Sequence, residues 1–259
     1  MTPLADTHVH LLAGLDDGPA SMEEAVAMCR MLMDEGAGHA TALAHQNHGY
    51  PHNTAARLQE ATGLLTSELK AREIPLKVYP TGEVMLSPTT FEDWQAGILQ
   101  TIGGHQKWML VEMPHGLFMD VLPLAEAFRP HGIRLIIAHA ERYPEVLYDP
   151  ALTEQWINAG CMIQVTAWPL AEPWEPGMEK ALKEWAIGGF IHVLGSDGHG
   201  MDRRRPVLAA GFERLTKWVG QAAAERIGSL WGISVLQGLP VQVPPPKPPA
   251  RSWFSRLFG

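Results

Sequence analysis

The chain has 259 residues, of which 46% are hydrophobic, enough to bury one sizeable core in a single α/β domain. Its formal net charge of −8 lacks the basic excess of a nucleic-acid binder, so no nucleic-acid partner is expected. No run approaches the ~20 apolar residues that span a bilayer, and no basic segment followed by an apolar run opens the chain, so a cytoplasmic protein is expected.

Seven short β-like segments are predicted, at 4–8, 39–44, 76–81, 107–112, 133–138, 161–166 and 190–195. Helical patterns lie between them, at 21–35, 53–72, 118–131, 150–159 and 176–188; Ser21 is the N-cap of the first, with Glu24 placed for a capping box. Strand and helix alternate throughout, which favours parallel strands joined by right-handed crossovers and, with seven units, a distorted (β/α)7 barrel. The domain is expected to end near residue 240, because 243–249 read Val-Pro-Pro-Pro-Lys-Pro-Pro and cannot form a helix. Residues 241–259 are therefore expected to be an extended linker and a short tail.

Metal-ligand residue types recur at the ends of these strands. His8 and His10 end the first, followed closely by Asp17; in an extended His-x-His both imidazoles face one side. His45 ends the second strand, Glu83 follows the third, Glu112 ends the fourth, and His139 follows the fifth. Asp197 and His199 follow the seventh. The C-terminal rim is where barrels of this kind gather their active sites, so nine donors distant in sequence are expected to converge there. Strand six ends in Gln164-Val165-Thr166, which is expected to do no more than hydrogen-bond the ligands.

The two cysteines, Cys29 and Cys161, sit in hydrophobic stretches, which argues against a disulfide framework and for a reducing compartment. Six positions beyond them stand Glu35 and Ala167, so the Cys-x5-Arg loop of cysteine-dependent tyrosine phosphatases is missing. His39, His105, His115, His131 and His192 are read as structural or surface residues, and His48, Tyr50 and His52 as an exposed loop or a site entrance. The nine tryptophans are read as packing residues, with Trp168 and Trp174 after strand six placed to border an aromatic substrate.

Three stretches together resemble the PHP (polymerase and histidinol phosphatase) superfamily: Thr7-His8-Val9-His10 with the trailing Gly-Leu-Asp-Asp-Gly, Ile137-Ala138-His139-Ala140-Glu141-Arg142-Tyr143, and Gly195-Ser196-Asp197-Gly198-His199. Within it the pattern is similar to the bacterial manganese-dependent protein-tyrosine phosphatases of capsule and exopolysaccharide operons, the CpsB/YwqE type, over about residues 4 to 218. The resemblance implies three divalent cations, Mn²⁺ first and Fe²⁺ or Zn²⁺ as alternatives. His8, His10 and Asp197 would hold one, with Glu83 bridging to a second held by Glu112 and His139; Asp17, His45 and His199 would hold the third. It also implies hydrolysis by a metal-held hydroxide and Arg142 and Arg204 on the phosphate, where a guanidinium fork binds oxygens in pairs. Ala44 and Met113 depart from the proline and phenylalanine common beside His45 and Glu112, but no matched ligand position is lost. Four carboxylates contribute about −4 and three divalent ions about +6, an excess that suits a phosphate dianion.

The implied substrate is a phosphotyrosine protein, the tyrosine-rich tail of a kinase that controls polysaccharide export. The alternatives are a phosphatase for a small phosphorylated metabolite of the histidinol-phosphate kind, and a regulatory protein whose metals are structural. Residues 250–259, with Trp253, Phe254, Leu257 and Phe258 beside Arg251 and Arg256, are read as a weak anchor at the inner face of the membrane, a docking peptide, or a plain tail.

Overall fold

The computed structural model describes residues 2–247. Its seven strands are β1 (Leu4–Asp6), β2 (Ala37–Gln46), β3 (Lys77–Met85), β4 (Trp108–Glu112), β5 (Arg134–Ile137), β6 (Met162–Thr166) and β7 (Val193–Gly195). All pair in parallel, each with its sequence neighbour. The ring nearly closes between β7 and the end of β1, where Thr7 N donates to Leu194 O at 3.0 Å and Val9 bridges to Gly198. This is the seven-stranded α/β barrel that the alternation predicts. Its central strands are buried on both faces, which is why Met109-Leu110-Val111 and Leu135-Ile136-Ile137 read as unbroken apolar runs.

The helices begin where local chemistry lets them. Ser21 caps Met22–Asp34 by accepting from Glu24 N, while Glu24 Oε2 reaches one residue beyond the cap to accept from Ala20 N at 2.7 Å. Thr54 caps Ala55–Ala71, and Asp149 caps Pro150–Asn158. The helix expected over 118–131 is shorter: it starts at Leu122 and tightens into a 3-10 turn at Arg129–His131. Asp120 stops it on the N-terminal side, because its Oδ1 accepts from Leu122 N and Trp156 Nε1. Beyond residue 208 come helices not picked out in the sequence, Ala209–Val219 and a run over 221–236 with a π turn at Arg226–Leu230.

The interior of the barrel is filled by Ala5, Leu43, Leu110, Ile136, Met162 and Val193, and closed below by Val235, Leu236 and Val241. Side chains two apart share a face of a strand. Above Leu43 the same face of β2 presents His45, above Leu110 that of β4 presents Glu112, and above Met162 that of β6 presents Gln164. An apolar plug thus forms the floor of the polar mouth.

The described part of the proline-rich stretch forms neither helix nor strand, and through Lys247 it lies along the barrel. Val241 is buried and its carbonyl accepts from Arg134 Nη1 at 3.0 Å; Lys247 N donates to Gly188 O at 2.7 Å. Residues 250–259, read as an anchor or docking segment, lie outside the described residues. Among the described residues no helix is long and apolar enough to cross a membrane.

Candidate metal centre

The two histidines of the opening motif sit just past β1, held by backbone anchors. Asp6, fully buried, accepts from His8 N and from Ser196 N, both at 3.0 Å, and so ties His8 to Ser196-Asp197 across the barrel seam. Burial pushes its carboxyl up to about 6, against the lowering effect of those bonds. At Gly195 a Cβ would fall 2.4 Å from that of His8. Only glycine permits β7 to lie this close to the motif.

The nine donors expected to converge do so. They fall into four overlapping groups, His8-His10-Asp197, His8-Glu83-His139, His45-Glu83-Glu112 and His10-Asp17-His45-His199, with the candidate ligand atoms of each group within 4.8 Å of one another. Glu83 is the hub. Its Oε1 lies 3.1 Å from His8 Nε2 and 2.9 Å from His139 Nε2; its Oε2 lies 3.2 Å from His10 Nε2 and 3.0 Å from His45 Nδ1. Asp17 Oδ1 is 3.3 Å from His45 Nε2 and 3.5 Å from His199 Nε2, at the exposed end of the cluster.

The electrostatics of the cluster favours added positive charge. Burial opposes charge on His10 and His45, but the carboxylates beside them, Asp16 and Glu83 for the first and Glu112 and Glu83 for the second, outweigh it and raise them to about 9 and about 11. Glu83 and Asp197 are driven well below the usual carboxylate range, against their burial, by His8 and their other cationic neighbours. Burial and the nearby His10 push His199 down to about 3. The acidic oxygens therefore favour positive charge in the cluster, and a divalent cation bound here would compete with protons for the same imidazoles.

The donor set fits divalent cations. His8 Nε2, His10 Nε2, His199 Nε2, Glu83 Oε2 and Glu112 Oε1 are buried with no hydrogen-bond partner among the described residues, an arrangement that costs free energy unless something binds them. The opposite ring nitrogens are held from behind: His8 Nδ1 by Gln164 Oε1 at 2.8 Å, His10 Nδ1 by Asp16 Oδ2 at 2.7 Å, and His199 Nδ1 by Asp197 O at 2.9 Å. With a proton on each Nδ1, the Nε2 lone pairs face inward, as metal-binding imidazoles require. A mixed imidazole and carboxylate set suits Mn²⁺, Fe²⁺ or Zn²⁺.

Arg142 and Arg204 both donate through Nη2 to Asp197 Oδ2, Arg204 at 2.7 Å. Arg204 Nη1 also lies 3.6 Å from Asp17 Oδ2. A 400 Å³ cavity opens beside them, lined by Arg142, Thr166, Trp168, Trp174, Asp197, Arg204 and Arg205 among others. His139, Asp197 and Arg204 have φ of 32°, 53° and 51°, left-handed values unfavourable for residues with a Cβ. Three of the five such residues described cluster at the site, where strain is commonly stored.

Two supporting residues escaped the sequence reading. Asp16 accepts from His10, from His45 N and from Gly18 N; the resemblance singled out its neighbour Asp17 alone. Asp6 sits two residues before His8, and that spacing was the available signal. Of the loop residues, Tyr50 stacks on His45 with ring centroids 5.6 Å apart and planes 8° apart, and with His48 it lines a second cavity of 490 Å³. His52 is exposed, His39 is buried with Nδ1 2.9 Å from Tyr79 Oη, and His192 is buried.

The chain is also similar to known proteins. The family described as "Capsular polysaccharide synthesis, CpsB/CapC" matches residues 4–236. Tyrosine-protein phosphatase YwqE of Bacillus subtilis (strain 168) is 27% identical over 205 residues, covering 78% of this chain and 79% of the relative. Tyrosine-protein phosphatase CpsB of Streptococcus pneumoniae is 22% identical over 235 residues, covering 86% and 94%. In fold, the chain superposes on a crystal structure from the study of YwqE and CpsB as metal-dependent tyrosine phosphatases with a TM-score of 0.86, at 24% identity and covering 96% of this chain and 100% of that one. Because the family pattern spans the barrel from β1 to its last helix, the chain belongs to the CpsB/CapC family of capsular polysaccharide synthesis.

Proposed function

We propose that this chain is a metal-dependent protein-tyrosine phosphatase. The observation that carries the reading is the convergence of nine metal-ligand side chains around Glu83, with two guanidinium groups meeting at Asp197 on the cluster's edge. The names of the relatives, tyrosine-protein phosphatases from several bacteria, support the same chemistry.

In this reading His8, His10, Asp197 and Glu83 would hold one cation, Glu83, Glu112 and His139 a second, and Asp17, His45 and His199 a third. Mn²⁺ is the first choice. Bound divalent cations would supply the acidity that ionises a water and the charge that offsets the phosphoryl oxygens. Arg142 and Arg204 each give one Nη2–H to Asp197 and retain further N–H donors for phosphate oxygens. Gln164 and Asp16 keep His8 and His10 in the tautomer that faces the cations. The apolar floor at Leu43, Leu110 and Met162 keeps water to the mouth side of the site. The two cysteines are buried, with thiols raised to about 12 by burial, a state in which neither acts as a nucleophile.

The substrate proposed is a phosphorylated tyrosine on a protein of capsule or exopolysaccharide synthesis, a kinase tail being the first choice, met in the cytoplasm or at the inner face of the membrane. A phenolate, with a parent pKa near 10, leaves more readily than an alkoxide. The test is phosphate release from a phosphotyrosine peptide, compared with histidinol phosphate, across a panel of divalent metals. Faster turnover of histidinol phosphate, or none of either substrate with any metal, would overturn the reading.

A further inference from the structure

β6 runs directly into a short helix, Ala167–Ala171, whose second residue is Trp168. That helix is clamped at both ends. A Cβ on Gly211 would sit 2.3 Å from Ala167 O, so the helix Ala209–Val219 can close on it only through glycine, and Arg214 Nη2 donates to Ala171 O at 3.2 Å. Trp168 nevertheless leaves 44% of its surface in solvent, and Trp174, on the turn that follows, leaves 53%. Trp108, Trp156 and Trp185 are all buried. An indole held on a rigid support and still exposed forgoes the burial that ordinarily stabilises it.

Both exposed indoles line the same 400 Å³ cavity as Arg142, Arg204 and Asp197. This cavity adjoins the metal centre at Asp197 and is lined by guanidinium groups as well as by the two indoles. A ligand that satisfies both carries a planar apolar group joined through one ester oxygen to a phosphoryl dianion. The 490 Å³ cavity beside Tyr50 has no guanidinium among its lining residues, so it does not offer that pairing.

We infer that Trp168 and Trp174 form a ring-binding wall that makes the site selective for aryl over alkyl phosphate monoesters. The inference rests on the phosphatase reading above, but it concerns these two side chains alone. Aromatic pairs of this kind are worth about 3- to 10-fold in affinity each, and the wall acts on the bound ester independently of how well the alcohol departs.

The test separates binding from leaving-group chemistry. Phenylphosphonate and methylphosphonate share a dianionic head, and neither is hydrolysed. Their affinities for the metal-loaded full chain are measured by titration calorimetry, alongside turnover of a phosphotyrosine peptide. The wild type is expected to prefer phenylphosphonate; Trp168→Ala and Trp174→Ala each reduce that preference about 3- to 10-fold with methylphosphonate affinity and metal content unchanged. Trp168→Phe, which keeps an aromatic face, retains most of it. An undiminished preference in the double alanine variant, or no preference in the wild type, overturns the inference even if the peptide is turned over. Loss of the phosphatase reading would appear separately, as a wild type that releases no phosphate from the peptide with any metal.

Discussion

His10 Nδ1 lies 2.7 Å from Asp16 Oδ2, and the same carboxylate accepts from His45 N at 2.9 Å. One side chain therefore sets the ring of one candidate ligand and the backbone of another. Asp16→Asn keeps the shape but loses the charge that holds a proton on Nδ1. It is expected to weaken Mn²⁺ binding by about 10- to 100-fold with the fold intact, as read by calorimetric metal titration and circular dichroism. Unchanged affinity would mean that His10 is not a ligand in this orientation.

Removing the metal should remove the activity. Chelation is expected to abolish phosphate release and added Mn²⁺ to restore it. His139→Ala and Asp197→Ala should each lower turnover by at least about 10²-fold, the usual loss for a key electrostatic group. Metal content by elemental analysis should fall in parallel. Full turnover by metal-free protein would place the chemistry elsewhere.

Arg142→Lys and Arg204→Lys preserve charge and lose the planar fork. Both are expected to reduce kcat/KM for a phosphotyrosine peptide while leaving metal content near normal. Unaltered kinetics in both variants would reduce the pair to partners of Asp197.

The left-handed backbone at Arg204, φ 51°, allows a test of stability alone. Arg204→Ala and Arg204→Gly lose the same guanidinium, but only glycine adopts this conformation without Cβ crowding. The glycine variant is expected to be more stable than the alanine variant by about 1 kcal/mol in chemical denaturation at fixed metal concentration. Equal stabilities would show that the loop relaxes to a right-handed turn.

His192 gives the fold a pH dependence away from the metal centre. It is fully buried, its Nδ1 accepts from Ile163 N at 2.8 Å, and burial lowers it to about 3. In the unfolded chain the same group takes a proton near pH 6.5, so the unfolded state gains protons that the folded state refuses. Its contribution is complete above about pH 6.5 and is lost progressively as pH falls from there toward 3. Between pH 6.5 and 5 the loss is roughly 2 kcal/mol, at about 1.36 kcal/mol per pH unit. His192→Asn keeps an acceptor for Ile163 N and should flatten the pH dependence of the denaturation midpoint by that amount. A variant as pH-sensitive as the wild type would assign the effect to other groups.

Much of this centre is legible in the sequence because strands impose a period of two. His45 and Glu112 end apolar runs, and the parallel pairing brings them to one rim with Glu83: His45 pairs with Glu83, and Met85, two residues on, pairs with Glu112. What stays hidden depends on contacts remote in sequence. Asp16 and Asp17 are indistinguishable until His10 and His45 choose between them. The late start of the helix at Leu122 depends on Asp120 being engaged by Trp156, 36 residues on. The left-handed turns at His139, Asp197 and Arg204 carry no glycine to announce them, since each position requires its side chain more than it requires ease of backbone.

The last described residue, Lys247, is bonded to Gly188 at the end of the helix that precedes β7. Arg134 and Trp108, the first residues of β5 and β4, hold Val241 O and Leu239 O at the same end. That is the back of the barrel, a strand's length from the mouth. A sensor-chip linker attached through the exposed Lys247 side chain would therefore pull from behind, presenting the opening to the bulk solution instead of to the support.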